Sequence, residues 1–180
     1  MKAINIFILL MFLVGFCCCD DEENIHVEEE GPRRDYDINS TDPVKKIVSE
    51  FFFNTGKEFI VDPDSSDYLY NFAEKNGVKM YPVSDANRDY LLSTVQLIKS
   101  GFLDCYTTEF VKENFPYSVI IADTIYDTGT YLTPKIVDNI ARINYYGVNV
   151  AGKANLDLAE QKAFLALVHY DFFISVYSRI

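Results

Sequence analysis

Cys17-Cys18-Cys19 is the densest group of nucleophiles in this 180-residue chain, three thiols following the apolar run 4–16 and preceding Asp20-Asp21-Glu22-Glu23. A thiol in that setting can carry a thioether-linked diacylglycerol. The remaining reactive side chains are sparse. Cys105 is the fourth cysteine, and His26 and His169 are the two histidines. Cys105 follows Asp104 with no histidine near it in sequence, which argues against an activated thiol. Asp62-Pro63-Asp64-Ser65-Ser66-Asp67 places acids at the first, third and sixth positions of a calcium-type loop. It lacks the glycine at the sixth and the glutamate at the twelfth position that an EF-hand needs, having Asp67 and Ala73 there, so a plain turn is expected. Glu109, Asp123 and Asp127 are available as acids, but no spacing selects a pair.

The first residues set the expected location. Lys2 precedes an apolar core too short to span a bilayer, the pattern of an export signal. Cysteine at its end, in place of a small-residue cleavage site, points to a bacterial lipoprotein signal over residues 1–18. Phe16 is a poor neighbour for processing at Cys17, so Cys18 or Cys19 is the expected lipid acceptor. An ordinary cleaved signal with incidental cysteines is the alternative. Residues 19–41 read as an acidic tether with a Gly31-Pro32 break and too few apolar residues to offset ordering entropy. A coil of about twenty residues spans roughly 25 Å.

Composition narrows the partners. Lys and Arg number 16 against 27 Asp and Glu, giving −11, a balance that repels nucleic acid and anionic lipid surfaces. Fourteen Phe and thirteen Tyr supply a large core for one domain. Cys105 alone in that domain excludes an intramolecular disulfide framework.

The elements that must position these groups follow from caps and periodicity. Thr41-Asp42-Pro43 starts a helix with Val44, Ile47, Val48, Phe51 and Phe52 on one face, and Gly56 ends it. Phe59-Ile60-Val61 is a short strand, and residues 68–72 are ambiguous. Val78-Lys79-Met80-Tyr81 is a second strand, read as the hairpin partner of an earlier one. A helix runs over 88–99, capped near Asp85 or Asn87, with Leu91, Leu92, Val95 and Ile98 inward. A short helix covers 108–114, and residues 118–123 form a buried strand. Arg142-Ile143-Asn144-Tyr145 is a further candidate strand. Asn155 or Asp157 caps a last helix reaching about Ser178. On it His169 faces an apolar side with Leu165, Ala166, Phe172, Phe173 and Val176, while residues 163–177 are apolar enough to call for packing on most of the circumference.

The stretches DPVKKIVSEFFFNTGKEFIVDPDSSDYLYNF and DANRDYLLSTVQLIKSGFLDCYTTEFVKENFPYSVIIADTI, with the lipoprotein start, resemble the zinc-binding metallopeptidase lipoproteins of Bacteroides-type bacteria. These are also described as substrate-import-associated zinc metallohydrolase lipoproteins. The likeness covers about residues 42–178. It implies an α+β fold, a small partly antiparallel sheet packed by helices, forming a zincin-like N-terminal lobe that ends in a long helix. In those bacteria acidic residues after the lipidated cysteine, here Asp20, Asp21, Glu22 and Glu23, resemble the signal for display on the outer face of the outer membrane.

The family carries H-E-x-x-H on a helix after its sheet, two histidines one turn apart holding zinc and a glutamate activating the bound water. Here the matching segment is His169-Tyr170-Asp171-Phe172-Phe173. His169 remains, Tyr170 replaces the glutamate, Phe173 replaces the second histidine, and Asp171 sits about 100° away from the glutamate's position. No catalytic residue, no bound zinc and a histidine satisfied by one hydrogen bond are therefore expected. The domain 42–180 is expected to be non-catalytic and C-terminally truncated, serving as a binding or scaffolding component of nutrient import with an importer subunit, peptide or glycan as partner. Two alternatives stand beside it: a zinc-dependent peptidase or hydrolase whose site is completed elsewhere, and a non-functional truncated member exposing apolar surface over 163–177.

Overall fold

The computed structural model describes residues 33–69, 77–84, 88–129 and 133–177. The lipidation and acidic-signal residues, and the expected caps Asp85 and Asn87, lie outside the described residues. The chain divides into two compact units at Asp35/Tyr36, and the fold below is that of the second, Tyr36–Ile180.

Helix α1, Pro43–Thr55, begins as its residues dictate. The Asp42 carboxylate accepts from the Val44 amide at 3.0 Å, and Pro43 occupies the first turn. It stops at Gly56, whose φ of 69° lets its N–H reach Phe52 O at 2.7 Å. Order starts earlier than the tether reading allowed. The Tyr36 ring stacks on Phe52 with centroids 4.1 Å apart, and the Asp37 N–H donates to Ser49 Oγ at 2.9 Å. Aromatic contact and a satisfied backbone donor outweigh the loop-like composition there.

Strand β1, Glu58–Ile60, leads through the short helix α2, Ser65–Tyr68, to β2, Val78–Tyr81. Helix α3, Arg88–Gly101, a 3₁₀ turn at Leu103–Cys105 and helix α4, Thr108–Asn114, follow. Then come β3, Ser118–Ala122; β4, Thr124–Asp127; β5, Lys135–Ile136; β6, Asn139–Ala141; and β7, Tyr145–Asn149. The last helix, α5, is Leu158–Tyr177, opened by a reciprocal cap in which Asp157 Oδ1 accepts from Glu160 N and Glu160 Oε2 accepts from Asp157 N.

The fold is α+β with two sheets. The larger has the order β1-β3-β7-β6, with β1, β3 and β7 parallel and β6 antiparallel to β7. The smaller is antiparallel, β2-β4-β5. Two strand expectations are corrected. Val78–Tyr81 pairs with β4, a later strand, because both present alternate apolar residues to the same core. Residues 142–144 form the connection between β6 and β7, closed by Arg142 N–H to Tyr145 O at 2.9 Å, with Ile143 exposed.

Strand parity divides the core into two layers. Phe59, Val119, Ile121, Tyr146 and Val148 face the helices. Ile60, Ile120, Ala122, Ile140 and Tyr145 face Val78, Met80 and Ile125 of the smaller sheet. A sheet covered on both sides needs apolar residues at every position, which is why β3 and β7 are buried throughout.

Phe172, fully buried between Phe102, Phe115 and Tyr146, ties α5 to this framework. Phe172→Ala is expected to lower unfolding free energy by about 3–5 kcal/mol in denaturant titration. Gly56→Ala is expected to cost only about 1 kcal/mol, the strain of a side chain at positive φ.

Candidate functional site

The C-terminal end of α3 gathers the chemistry-bearing residues that sequence spacing kept apart. A helix ends with carbonyls lacking intrahelical partners, and Gly101 O is one of them. His169, one face of α5, brings Nε2 to 2.9 Å from that oxygen. Its Nδ1 lies 2.7 Å from the Tyr106 hydroxyl. A carbonyl only accepts, so Nε2 carries the hydrogen, and in the neutral ring Nδ1 accepts from the Tyr106 O–H. Cys105, exposed, adds weak contacts from Sγ to Gly101 O at 3.5 Å and Ser100 O at 3.9 Å. Close approach is possible because Gly101 lacks a side chain, since a Cβ there would lie 2.4 Å from Leu165 Cδ1.

The surroundings are aromatic. The His169 ring meets Phe102 edge to face at 5.2 Å and Tyr106 at 5.5 Å. Burial pushes the Tyr106 phenol up to about 12, with a smaller contribution from Cys105. Burial also raises Tyr146, whose hydroxyl donates to Val168 O at 2.9 Å within α5. The histidine thus makes two hydrogen bonds rather than the one expected, and acts as a cap that joins two helices.

This arrangement does not fit zinc. A ligating imidazole needs a free nitrogen lone pair, and here one nitrogen carries a hydrogen toward Gly101 O while the other accepts the Tyr106 proton. Tyr170 is 63% exposed, turned away from that cluster, and Phe173 packs on Tyr106 at 5.8 Å. Asp171 accepts from Asn139 Nδ2 and ties α5 to β6. Among the described residues no three His, Cys, Asp or Glu side chains are grouped to hold a metal ion.

The remaining candidates are dispersed. Asp64 and Asp67 form a capping box at α2, with Asp64 Oδ1 accepting from Ser66 N and Asp67 Oδ2 from Asp64 N, each at 2.7 Å. That replaces the plain turn and spends both carboxylates on the helix start. Glu109 is exposed on α4, whereas Asp123 precedes β4 and Asp127 is its last residue, accepting from Gly129 N at 2.9 Å. Sequence reasoning missed that Cys105 and His169 both approach Gly101 O, because a shared carbonyl leaves no spacing signal.

On the solvent side α5 exposes Leu167, Tyr170 and Ile174, all over half exposed. Ala166, expected beside His169, is exposed as well. Among the described residues no helix is long and apolar enough to cross a membrane.

No protein-family model, no curated protein and no solved structure matches this chain. The resemblance to the metallopeptidase lipoproteins rests on the residues quoted for it.

His169→Ala removes a carbonyl cap and leaves the Tyr106 hydroxyl without its partner, so stability is expected to fall by about 1–3 kcal/mol. Alkaline titration gives a second check. An unfolded tyrosine ionises near pH ~10, whereas folded Tyr106 holds its proton to about 12. The unfolded state therefore releases protons first, and this part of the stability, full below that lower value, is lost as pH rises through the window. Tyr106→Phe is expected to flatten part of that loss in pH-dependent unfolding, with Tyr146 supplying the rest.

Proposed function

We propose that this protein is a surface-displayed outer-membrane lipoprotein whose folded domain binds or scaffolds without catalysing hydrolysis. Cys18 or Cys19 carries the diacylglycerol, Asp20, Asp21, Glu22 and Glu23 direct display, and the domain serves a nutrient-import system through an importer subunit, peptide or glycan. The reading joins the N-terminal signal pattern to the metallopeptidase-lipoprotein resemblance. The observation that carries its non-catalytic half is the double engagement of His169. The one histidine left of the motif holds Gly101 O and the Tyr106 hydroxyl instead of standing open beside a second ligand.

Mass spectrometry of the membrane-extracted protein is expected to find a lipidated N-terminal cysteine. Cys18→Ala with Cys19→Ala should abolish the modification, and replacing the four acids by alanine should remove accessibility to external protease on intact cells. The purified chain should hold far less than one zinc per molecule. Stoichiometric zinc together with peptidase activity that His169→Ala abolishes would sink the non-catalytic reading, and an unmodified, unlipidated N-terminus would sink the anchor.

A further inference from the structure

The outer face of the three-stranded sheet collects a group of side chains that no part of the core uses. In the ladder β2-β4-β5, Lys79 lies opposite Tyr126 and Tyr126 opposite Ile136. Tyr81 lies opposite Thr124 on the same face. Val78, Met80 and Ile125, the alternating residues, are buried toward the larger sheet, so these five point the other way. Tyr81 is 43% and Ile136 54% exposed, and Lys79 is exposed as well.

The two tyrosines build a corner. Their ring centroids are 6.0 Å apart and their planes meet at 77°, so the rings form two walls near a right angle. Lys79 Nζ stands 4.9 Å from the Tyr81 ring centre. The neighbouring Tyr81 side chain pushes the Lys79 ammonium's pKa up. Among the described residues no carboxylate forms an ion pair with Lys79, whereas Lys46, Arg88, Lys99 and Lys153 each have one.

We propose that this face is a binding site for acidic saccharides, the sugar's C–H bonds lying against the tyrosine rings and its carboxylate reaching the Lys79 ammonium. Aromatic rings with a polar tip suit a ligand that is apolar on one face and hydroxylated at its edge. The chain carries −11 overall and repels anions generally, so an ammonium beside two rings, with no ion pair among the described residues, favours a carboxylated sugar over a neutral one. Thr124 places a hydroxyl on the same face for the sugar's own hydroxyls. This inference takes up the binding role proposed above and names its ligand class, while the lipid anchor has no part in it.

The test is calorimetric titration of the full chain with oligogalacturonates, in parallel with neutral galacto-oligosaccharides of equal length and an oligoglutamate peptide. The acidic sugars are expected to bind, and to bind more weakly as ionic strength rises. Lys79→Gln should reduce affinity by up to about fivefold and Tyr126→Ala by up to about tenfold, with Tyr170→Ala, on α5, as an unaffected control. Unfolding midpoints of the variants establish that the sheet is intact. Equal affinity for neutral sugars or for the peptide, no binding of the acidic sugars at millimolar concentration, or indifference to both substitutions would overturn the assignment. Any of these results beside an intact lipid anchor leaves the location reading standing and removes only the ligand class.

Discussion

The Phe102 ring is the contact on which the helical half of the molecule depends. It follows the last residue of α3 and lies within 5.9 Å, centroid to centroid, of Tyr106, Phe115, Tyr146, His169 and Phe172. Those residues come from the segments on either side of α4, from β7 and from α5. The rings meet edge to face or tilted, and each pair adds about 0.5–1.5 kcal/mol beyond buried area. With that ring in place, the end of α3 and the middle of α5 are held close enough for a side chain to bridge them.

His169 is that bridge, and its position explains how a residue of metal-binding type becomes structural. The imidazole lies against Phe102 and Tyr106, where an unpaired polar atom is costly. Both nitrogens find partners in the protein, one of them an orphan carbonyl of a helix terminus. The same cluster that could have presented a ligand instead consumes it. Aromatic residues at 172 and 173 complete the pattern, since Phe172 is fully buried and Phe173 packs on Tyr106, where a metal centre would need a polar opening.

The opposite side of the molecule follows a different logic. The smaller sheet is amphipathic by strand parity, sealing the second core layer with Val78, Met80 and Ile125 and turning Lys79, Tyr81 and Tyr126 outward. Its residues lie in two distant stretches of the chain, so the surface they make exists only once β2 has found β4. The apolar face of α5 at Leu167, Tyr170 and Ile174 is a separate exposed surface.

Local chemistry was legible in the sequence wherever neighbours in the chain decide the outcome. Asp42-Pro43 and Gly56 bound α1, Thr108–Asn114 is a helix as expected, and the β-branched run of β3 is buried. Pairing was not legible. β7 carries the strand-favouring Tyr145, Tyr146 and Val148 but is interrupted by Gly147, and it becomes a central strand because β3 and β6 flank it. That Tyr170 and Phe173 stand where an H-E-x-x-H segment starting at His169 would need a glutamate and a second histidine was visible from residue types alone. That His169 would spend both nitrogens on Gly101 and Tyr106, and that Lys79 would stand beside Tyr81 and Tyr126 with no ion pair among the described residues, required the tertiary structure, because those contacts join residues that only folding brings together.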